Sequence, residues 1–250
     1  MSVSRETLKV ELQKRLSLWL DHWNVYVSEA SVERLIQYIF MLSAYEAANV
    51  VGTRDPGALL ELHIADSLSC LLHPGLSEAY EIVDVGSGAG LPGLALGISL
   101  PGAKVTLVES TGKKTVFMRG AAESLGISEA NILSARAEEV GWDPDFRERF
   151  DVATARALAS MPVLVEYCLP LVKVGGLVVA MKGKPSREEL DLGSRAAEML
   201  GGRLENVIEV PPLPDTEARD RCLVVIRKEA ETSKKYPRRV GLPRQQPLGG

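Results

Sequence analysis

The sequence predicts an α/β fold: a seven-stranded, mostly parallel sheet with an antiparallel last strand, preceded by an N-terminal helical extension. Three observations predict it. Apolar residues recur at helical spacing through the first 73 residues. From about residue 80, short apolar runs alternate with helical stretches, the pattern of a parallel sheet with helices on both faces. The last two apolar runs have no helix between them.

Leu8, Leu12, Leu16, Trp19 and Trp23 mark a first helix. Ser31 is placed to cap a second, whose face carries Leu35, Ile36, Ile39, Phe40 and Leu42. Asp55-Pro56 reads as an N-cap and a first-turn proline, opening a third helix toward Leu72. Strands are expected over 81–85, 104–108, 131–134, 150–155 and 177–181, with helices from Pro92, across 115–125, after Ser160 and across 187–200. The runs 204–210 and 223–226 should pair antiparallel, because a parallel pair needs a crossover connection. Five parallel units with a terminal antiparallel strand make the architecture of class I S-adenosylmethionine-dependent methyltransferases, a Rossmann-like fold. A dehydrogenase-type domain would continue with a sixth parallel strand. The expected organisation is a helical extension over 1–73, a cofactor-binding domain over 74–231 and a basic tail over 232–250.

The chain has 250 residues, 46% hydrophobic and 25% charged, enough to bury a sizeable core. Lys and Arg total 29 against 33 Asp and Glu, a net charge of −4 that argues against a general nucleic-acid binder. That balance averages two unlike parts. Residues 232–250 contain no acid and carry +5, which leaves 24 basic and 33 acidic residues, or −9, on the rest. The start of the chain has no uninterrupted apolar core, and no run is long enough to span a bilayer, so a cytoplasmic protein is expected. Cys70, Cys168 and Cys222 are widely spaced and fit reduced thiols rather than metal ligands.

The segment Ile82-Val-Asp-Val-Gly-Ser-Gly-Ala-Gly-Leu-Pro-Gly93 carries the chemistry. A buried strand ends at Val85, and Gly86, Gly88 and Gly90 let the backbone approach a ligand. The next strand ends near Glu109, whose carboxylate can accept both hydroxyl hydrogens of a ribose. Two ligands compete for this geometry. A nicotinamide dinucleotide matches the formal G-x-G-x-x-G spacing. Counted from Gly86, where the strand ends, Leu91 stands where that cofactor wants its third glycine. S-adenosylmethionine, with no pyrophosphate to seat, suits the looser loop.

The end of the fourth strand faces the transferred methyl in this fold. Here it runs into Arg156-Ala-Leu-Ala-Ser, with none of the Asp/Asn-Pro-Pro-aromatic tetrad of enzymes that methylate exocyclic amines. Pyrimidine C5 chemistry needs a nearby cysteine nucleophile; Cys168 falls in a later helix and Cys222 in the last strand. A ring nitrogen such as guanine N7 carries a lone pair and needs alignment but no base. Cations expected near the mouth are Lys113, Lys114, Arg156, Lys182 and Lys184. His63 and Asp66 share a helix face at i, i+3, as in a structural hydrogen-bonded pair. In the tail, Lys234, Lys235, Arg238, Arg239 and Arg244 beside Tyr236 suit phosphate contact and stacking, or a disordered solubilising segment. On the first reading, removing 232–250 weakens RNA binding, reduces its salt dependence and changes cofactor affinity little.

Together these residues resemble the bacterial small-subunit (16S) rRNA guanine-N7 methyltransferases called RsmG or GidB, from about Leu35 to Leu248. The resemblance rests on Asn49…Arg54-Asp55-Pro56 with His63-Ile-Ala-Asp-Ser67, on the loop Val83–Gly93, and on Glu109-Ser-Thr-Gly-Lys-Lys114. It also rests on Arg136-Ala-Glu-Glu139, Arg156-Ala, Lys182-Gly and Tyr236-Pro-Arg-Arg…Gly-Leu-Pro-Arg-Gln-Gln-Pro-Leu248. Val51 and Ala155 depart from the Thr and Ser that members often carry there. The resemblance implies S-adenosylmethionine as donor and a guanine N7 in a decoding-region loop of 16S rRNA, in the small subunit or an assembly intermediate, as acceptor. It places Gly86, Leu91, Ala137, Glu138 and Arg156 on cofactor-contact positions and Glu109, Ser110 and Thr111 in the ribose-binding turn. Arg156 and His63 are then candidates for positioning the acceptor, and Lys113, Lys114, Lys182, Arg238 and Arg239 for RNA contact, with no metal and no membrane involved. A nicotinamide-dependent oxidoreductase and a non-catalytic RNA-binding protein are the alternatives.

Overall fold

Side-chain caps begin the helical layer of the computed structural model, which describes residues 4–46, 51–217 and 219–250. The Ser4 hydroxyl accepts the Thr7 amide at 3.1 Å and opens α1 (Arg5–His22). Ser28 accepts the Ser31 amide at 3.2 Å and opens α2 (Glu29–Ala44). The cap is therefore Ser28 and not Ser31. Glu29 and Ala30 are good helix formers and carry the helix one turn earlier. Ser31 lies inside it, its hydroxyl donating to the Ile98 carbonyl at 2.7 Å. The Asp55 carboxylate accepts the Ala58 amide at 2.7 Å and starts the third helix, α3, which runs over residues 56–72. This helix opens into a π-helical turn at Leu60–Ala65. Such wide turns are rare and recur at functional sites; this one carries His63 and ends against Asp66.

The sheet is built from β1 (Glu81–Val85), β2 (Lys104–Val108), β3 (Ala130–Leu133), β4 (Phe150–Arg156), β5 (Val172–Lys182), β6 (Gly202–Glu209) and β7 (Cys222–Lys228). Its order is β3-β2-β1-β4-β5-β7-β6. β1 to β5 pair parallel, and β7 lies antiparallel between β5 and β6, as the missing crossover requires. Between the strands run α4 (Gly93–Ser99), α5 (Gly112–Ser124), α6 (Ala137–Trp142), α7 (Met161–Cys168) and α8 (Arg187–Met199). The short α6 has no sequence-level expectation behind it.

Strand alternation divides the apolar side chains between two faces. Ile82, Val105, Val152 and Val179 pack with α1 to α5, so the N-terminal helices share a core with the sheet. Val83, Val108, Ala153 and Val178 pack with α6 to α8 on the other face, where Leu248 from the chain end also inserts.

The chain end is anchored to the body. Arg147 donates to the carbonyls of Thr232 and Tyr236 at 2.7 and 2.8 Å, and Trp142 Nε1 to that of Pro237 at 2.7 Å. Arg238 forms a forked ion pair with Glu166, which is 0% exposed, at 2.6 Å. The last helical turn, α9 (Leu242–Gln245), follows, and Arg195 Nε donates to Gly249 O at 2.8 Å. The chain end is part of the folded body and not the disordered solubilising segment that its composition also allows.

Candidate active site

Strand order reverses between β1 and β4, and open α/β sheets bind ligands outside the carboxyl ends of strands at such a point. Two cavities lie there. The first, about 380 Å³, is lined by Gly86, Glu109, Ser110, Ala137 and Glu138 together with Lys114, Tyr167, Gly241 and Arg244. Gly86 has φ +74°, a left-handed conformation that glycine adopts without the strain a side chain would bring. Glu109 is buried with both oxygens directed by the backbone: Oε2 accepts the Gly88 amide at 3.0 Å and Oε1 the Thr111 amide at 2.8 Å. Each oxygen retains a lone pair for a further donor. Asp84 stands under the loop, accepting the Gly93 amide at 2.9 Å and the Thr154 hydroxyl at 3.1 Å. Burial pushes its carboxyl up to about 6, against the pull of those donors. Among the other candidates, Gly88, Gly90 and Leu91 belong to the loop but do not line the cavity, and Thr111 reaches it only through Glu109.

The tail forms one wall of this cavity. The Gly241 amide donates to Glu138 Oε1 at 2.9 Å, and Arg244 donates to the Leu158 carbonyl at 3.0 Å. Tyr167, Gly241 and Arg244 were not among the expected cofactor contacts.

The second cavity, about 350 Å³, adjoins the first through Ala157, which lines both. His63, Asp66, Arg156, Lys182 and Arg221 face it. His63 and Asp66 both bond to Arg156 instead of forming the pair that their spacing suggested. Arg156 donates to Asp66 Oδ2 at 3.1 Å and approaches His63 Nδ1 at 3.3 Å. Burial, helped by Arg156 and Arg221 and opposed by Asp66, lowers the His63 pKa to about 4. The imidazole is therefore neutral at pH 7, with Nδ1 accepting a hydrogen bond from the guanidinium and Nε2–H left as a donor. Between pH 4 and the ordinary value of 6.5, the unfolded chain takes up a proton that the folded one refuses, so stability falls as pH drops through that window. Methyl transfer should show no His63 inflection from about pH 5.5 to 8. A pH–rate profile with an inflection near 6.5 that disappears in His63→Asn would contradict the neutral assignment.

Cys222 lines the second cavity even though it sits in the last strand. Its thiol donates to Gly183 O at 3.1 Å and burial raises its pKa, the reverse of an activated nucleophile. Cys168 is buried in α7, and burial raises it too.

The family model for rRNA small subunit methyltransferase G matches residues 31–212, more than half of the chain. The chain belongs to this family. A family member from Rubrobacter xylanophilus is 50% identical over 232 residues, covering 92% of this chain and 89% of the relative. One from Pelotomaculum thermopropionicum is 41% identical over 249 residues, 99% of this chain and 100% of the relative. Both carry the printed name ribosomal RNA small subunit methyltransferase G. Among solved structures, a Methanococcus jannaschii fibrillarin pre-rRNA processing protein superimposes with a TM-score of 0.52 at 13% identity, over 65% of this chain and 74% of that one. With the strand order, this establishes the class I methyltransferase fold.

The methyltransferase G family model ends at 212, so β7, Arg221 and the tail wall lie beyond it. Of the signature residues, Asn49 lies outside the described residues. Among the cations assigned to RNA, Lys182 pairs with Glu189 at 2.7 Å and Arg238 with Glu166. Lys113, Lys114 and Arg239 form no ion pair among the described residues. No helix among the described residues is long and apolar enough to cross a membrane, and no group of three or more His, Cys, Asp or Glu side chains among them could hold a metal.

Proposed function

We propose that this chain transfers a methyl group from S-adenosylmethionine to N7 of a guanine in a decoding-region loop of 16S rRNA, in the cytoplasm. The observation that carries the reading is the pair of adjoining cavities at the carboxyl ends of β1 and β4, one lined by the glycine loop and the Glu109 carboxylate and one lined by hydrogen-bond donors. The first cavity fits the cofactor: Gly86 lines it with bare backbone, and Glu109 offers two directed oxygens to a ribose. When bound, S-adenosylmethionine supplies a sulfonium-activated methyl group. Gly86 and Gly88 would flank its methionine part, Glu109 the ribose, with Ser110 beside it, and residues 137–138 the adenine, against the wall of Gly241 and Arg244.

The residues of the second cavity align the acceptor. Guanine N7 uses its lone pair to form the new N–C bond as the C–S bond breaks, and the positive charge passes to the purine ring. No proton leaves the acceptor atom, so no base is required, and a neutral His63 is consistent with that chemistry. RNA contact falls to the cations that the fold leaves unpaired, Lys113, Lys114 and Arg239, with Arg136 and Arg244 at the cavity rim. The divisions at 73/74 and 231/232 separate acceptor-side helices, the cofactor body and the closing wall.

Calorimetric titration separates this reading from the oxidoreductase alternative. S-adenosylmethionine should bind and NAD should not; the reverse would overturn the assignment. Cofactor binding without methyl transfer to undermethylated small subunits in any assembly state would favour a non-catalytic RNA-binding protein.

A further inference from the structure

Three cations line the acceptor cavity, and the fold treats them differently. Arg156 is held through both terminal nitrogens: one donates to Asp66 at 3.1 Å and to Leu62 O at 3.4 Å, the other approaches His63 at 3.3 Å. Lys182 donates to Ala159 O at 3.1 Å and pairs with Glu189 at 2.7 Å. Arg221 donates only through Nε, to Asp66 Oδ1 at 3.1 Å. Its two terminal nitrogens have no partner among the described residues, and its side chain is 37% exposed where it borders the cavity.

Asp66 thus locks two guanidinium groups that arrive from different parts of the chain. Arg156 comes from the end of β4 and Arg221 from the residue before β7, while Asp66 follows the π turn of α3. Two cations on one carboxylate leave the cluster with one positive charge in excess. Among the described residues Arg156 spends three of its five N–H groups on Asp66, Leu62 and His63, whereas Arg221 spends one, so Arg221 supplies most of the excess donor capacity. The Nε–carboxylate bond tethers the group at the cavity edge and leaves both terminal nitrogens unspent.

On the reading that the acceptor is guanine N7, the neighbouring atom on the same base edge is O6, a hydrogen-bond acceptor. Adenine presents an amino donor at that position and would oppose a guanidinium. We propose that Arg221 is the specificity-determining residue of the acceptor pocket, donating to O6 of the target guanine while N7 faces the methyl group. Asp66 is its positioning residue.

The test is a cycle between enzyme and base. Small subunits are reconstituted with 16S rRNA carrying guanine or 2-aminopurine, which keeps N7 and lacks O6, at the methylated position. Single-turnover methyl transfer is measured for the unaltered protein and for Arg221→Ala, with cofactor affinity and melting temperature as controls on the fold. On guanine, Arg221→Ala should slow transfer about 10–100-fold, the range for a hydrogen bond to a charged group. On 2-aminopurine the two proteins should differ by less than about threefold, because the partner is gone. Arg221→Lys, which keeps the charge and loses the fixed fork, should recover only part of the rate. An equal loss on both bases, with a shallower salt dependence, would mean that Arg221 holds phosphate and would overturn the proposal. So would an unchanged rate on guanine. Failure of the unaltered protein to methylate guanine N7 would instead refute the underlying function, independently of Arg221.

Discussion

Replacing Arg238 with alanine should cost about 3–5 kcal/mol of stability, or roughly 6–20 °C in melting temperature for a chain of this size. Glu166 is 0% exposed and Arg238 binds both its oxygens, while the Arg238 backbone amide donates to Oε1 at 2.9 Å. Truncating one partner of such a pair strands a buried charge, and this penalty exceeds the net worth of the intact pair. Adding Glu166→Gln to Arg238→Ala should therefore restore much of the loss, since the amide removes the stranded charge. The effect also reaches the cofactor. The segment that Arg238 anchors continues to Gly241 and Arg244, which bond to Glu138 and to the Leu158 carbonyl at the cavity wall. Cofactor affinity should fall in Arg238→Ala, and removal of 232–250 should abolish binding. A calorimetric scan showing less than about 1 kcal/mol of destabilisation, within the range of an exposed ion pair, would mean that the tail is not held this way.

The second large effect is expected at Glu109. Its carboxylate joins the glycine loop to the turn after β2 through Gly88 and Thr111, and it is the acidic group that faces a ribose in the first cavity. Glu109→Ala should weaken S-adenosylmethionine binding by about 10²–10⁴-fold, the loss of two hydrogen bonds to a charged acceptor at about 1.5–3 kcal/mol each. Glu109→Gln keeps the acceptor oxygen for one hydroxyl and should fall between. The measurement is isothermal titration on protein whose melting temperature is checked in parallel. Unaltered affinity in Glu109→Ala would place the ribose elsewhere.

Local signals carried much of this structure. The strand at 81–85, the glycines after it and the acid at 109 lie within one βαβ unit, where burial, turn chemistry and spacing act over short distances. The pairing of β6 with β7 followed from a connection with no helix in it to make a crossover. The misplaced cap at Ser31 shows the limit of that approach: Ser28 and Ser31 are equally good caps, and the intervening Glu29-Ala30 decides between them. The π turn at Leu60–Ala65 has no composition of its own, so the geometry that brings His63 and Asp66 to Arg156 was not legible. The remaining gaps are long-range. Arg221 meets Asp66 across 155 positions and Arg238 meets Glu166 across 72, and neither partner is marked by anything beside it in sequence. For the same reason the tail read as a free basic segment. Its charge was visible, whereas the buried acid that binds Arg238 was hidden in an apolar helix.

The most direct test of the central claim is to locate the methyl group. Small subunits from cells lacking the gene are incubated with the purified protein and labelled S-adenosylmethionine, and the labelled nucleotide is identified by digestion and mass spectrometry. The expected result is one labelled 7-methylguanosine in a decoding-region loop of 16S rRNA. Label on any other atom or base, or no transfer to particles at any stage of assembly, would contradict it.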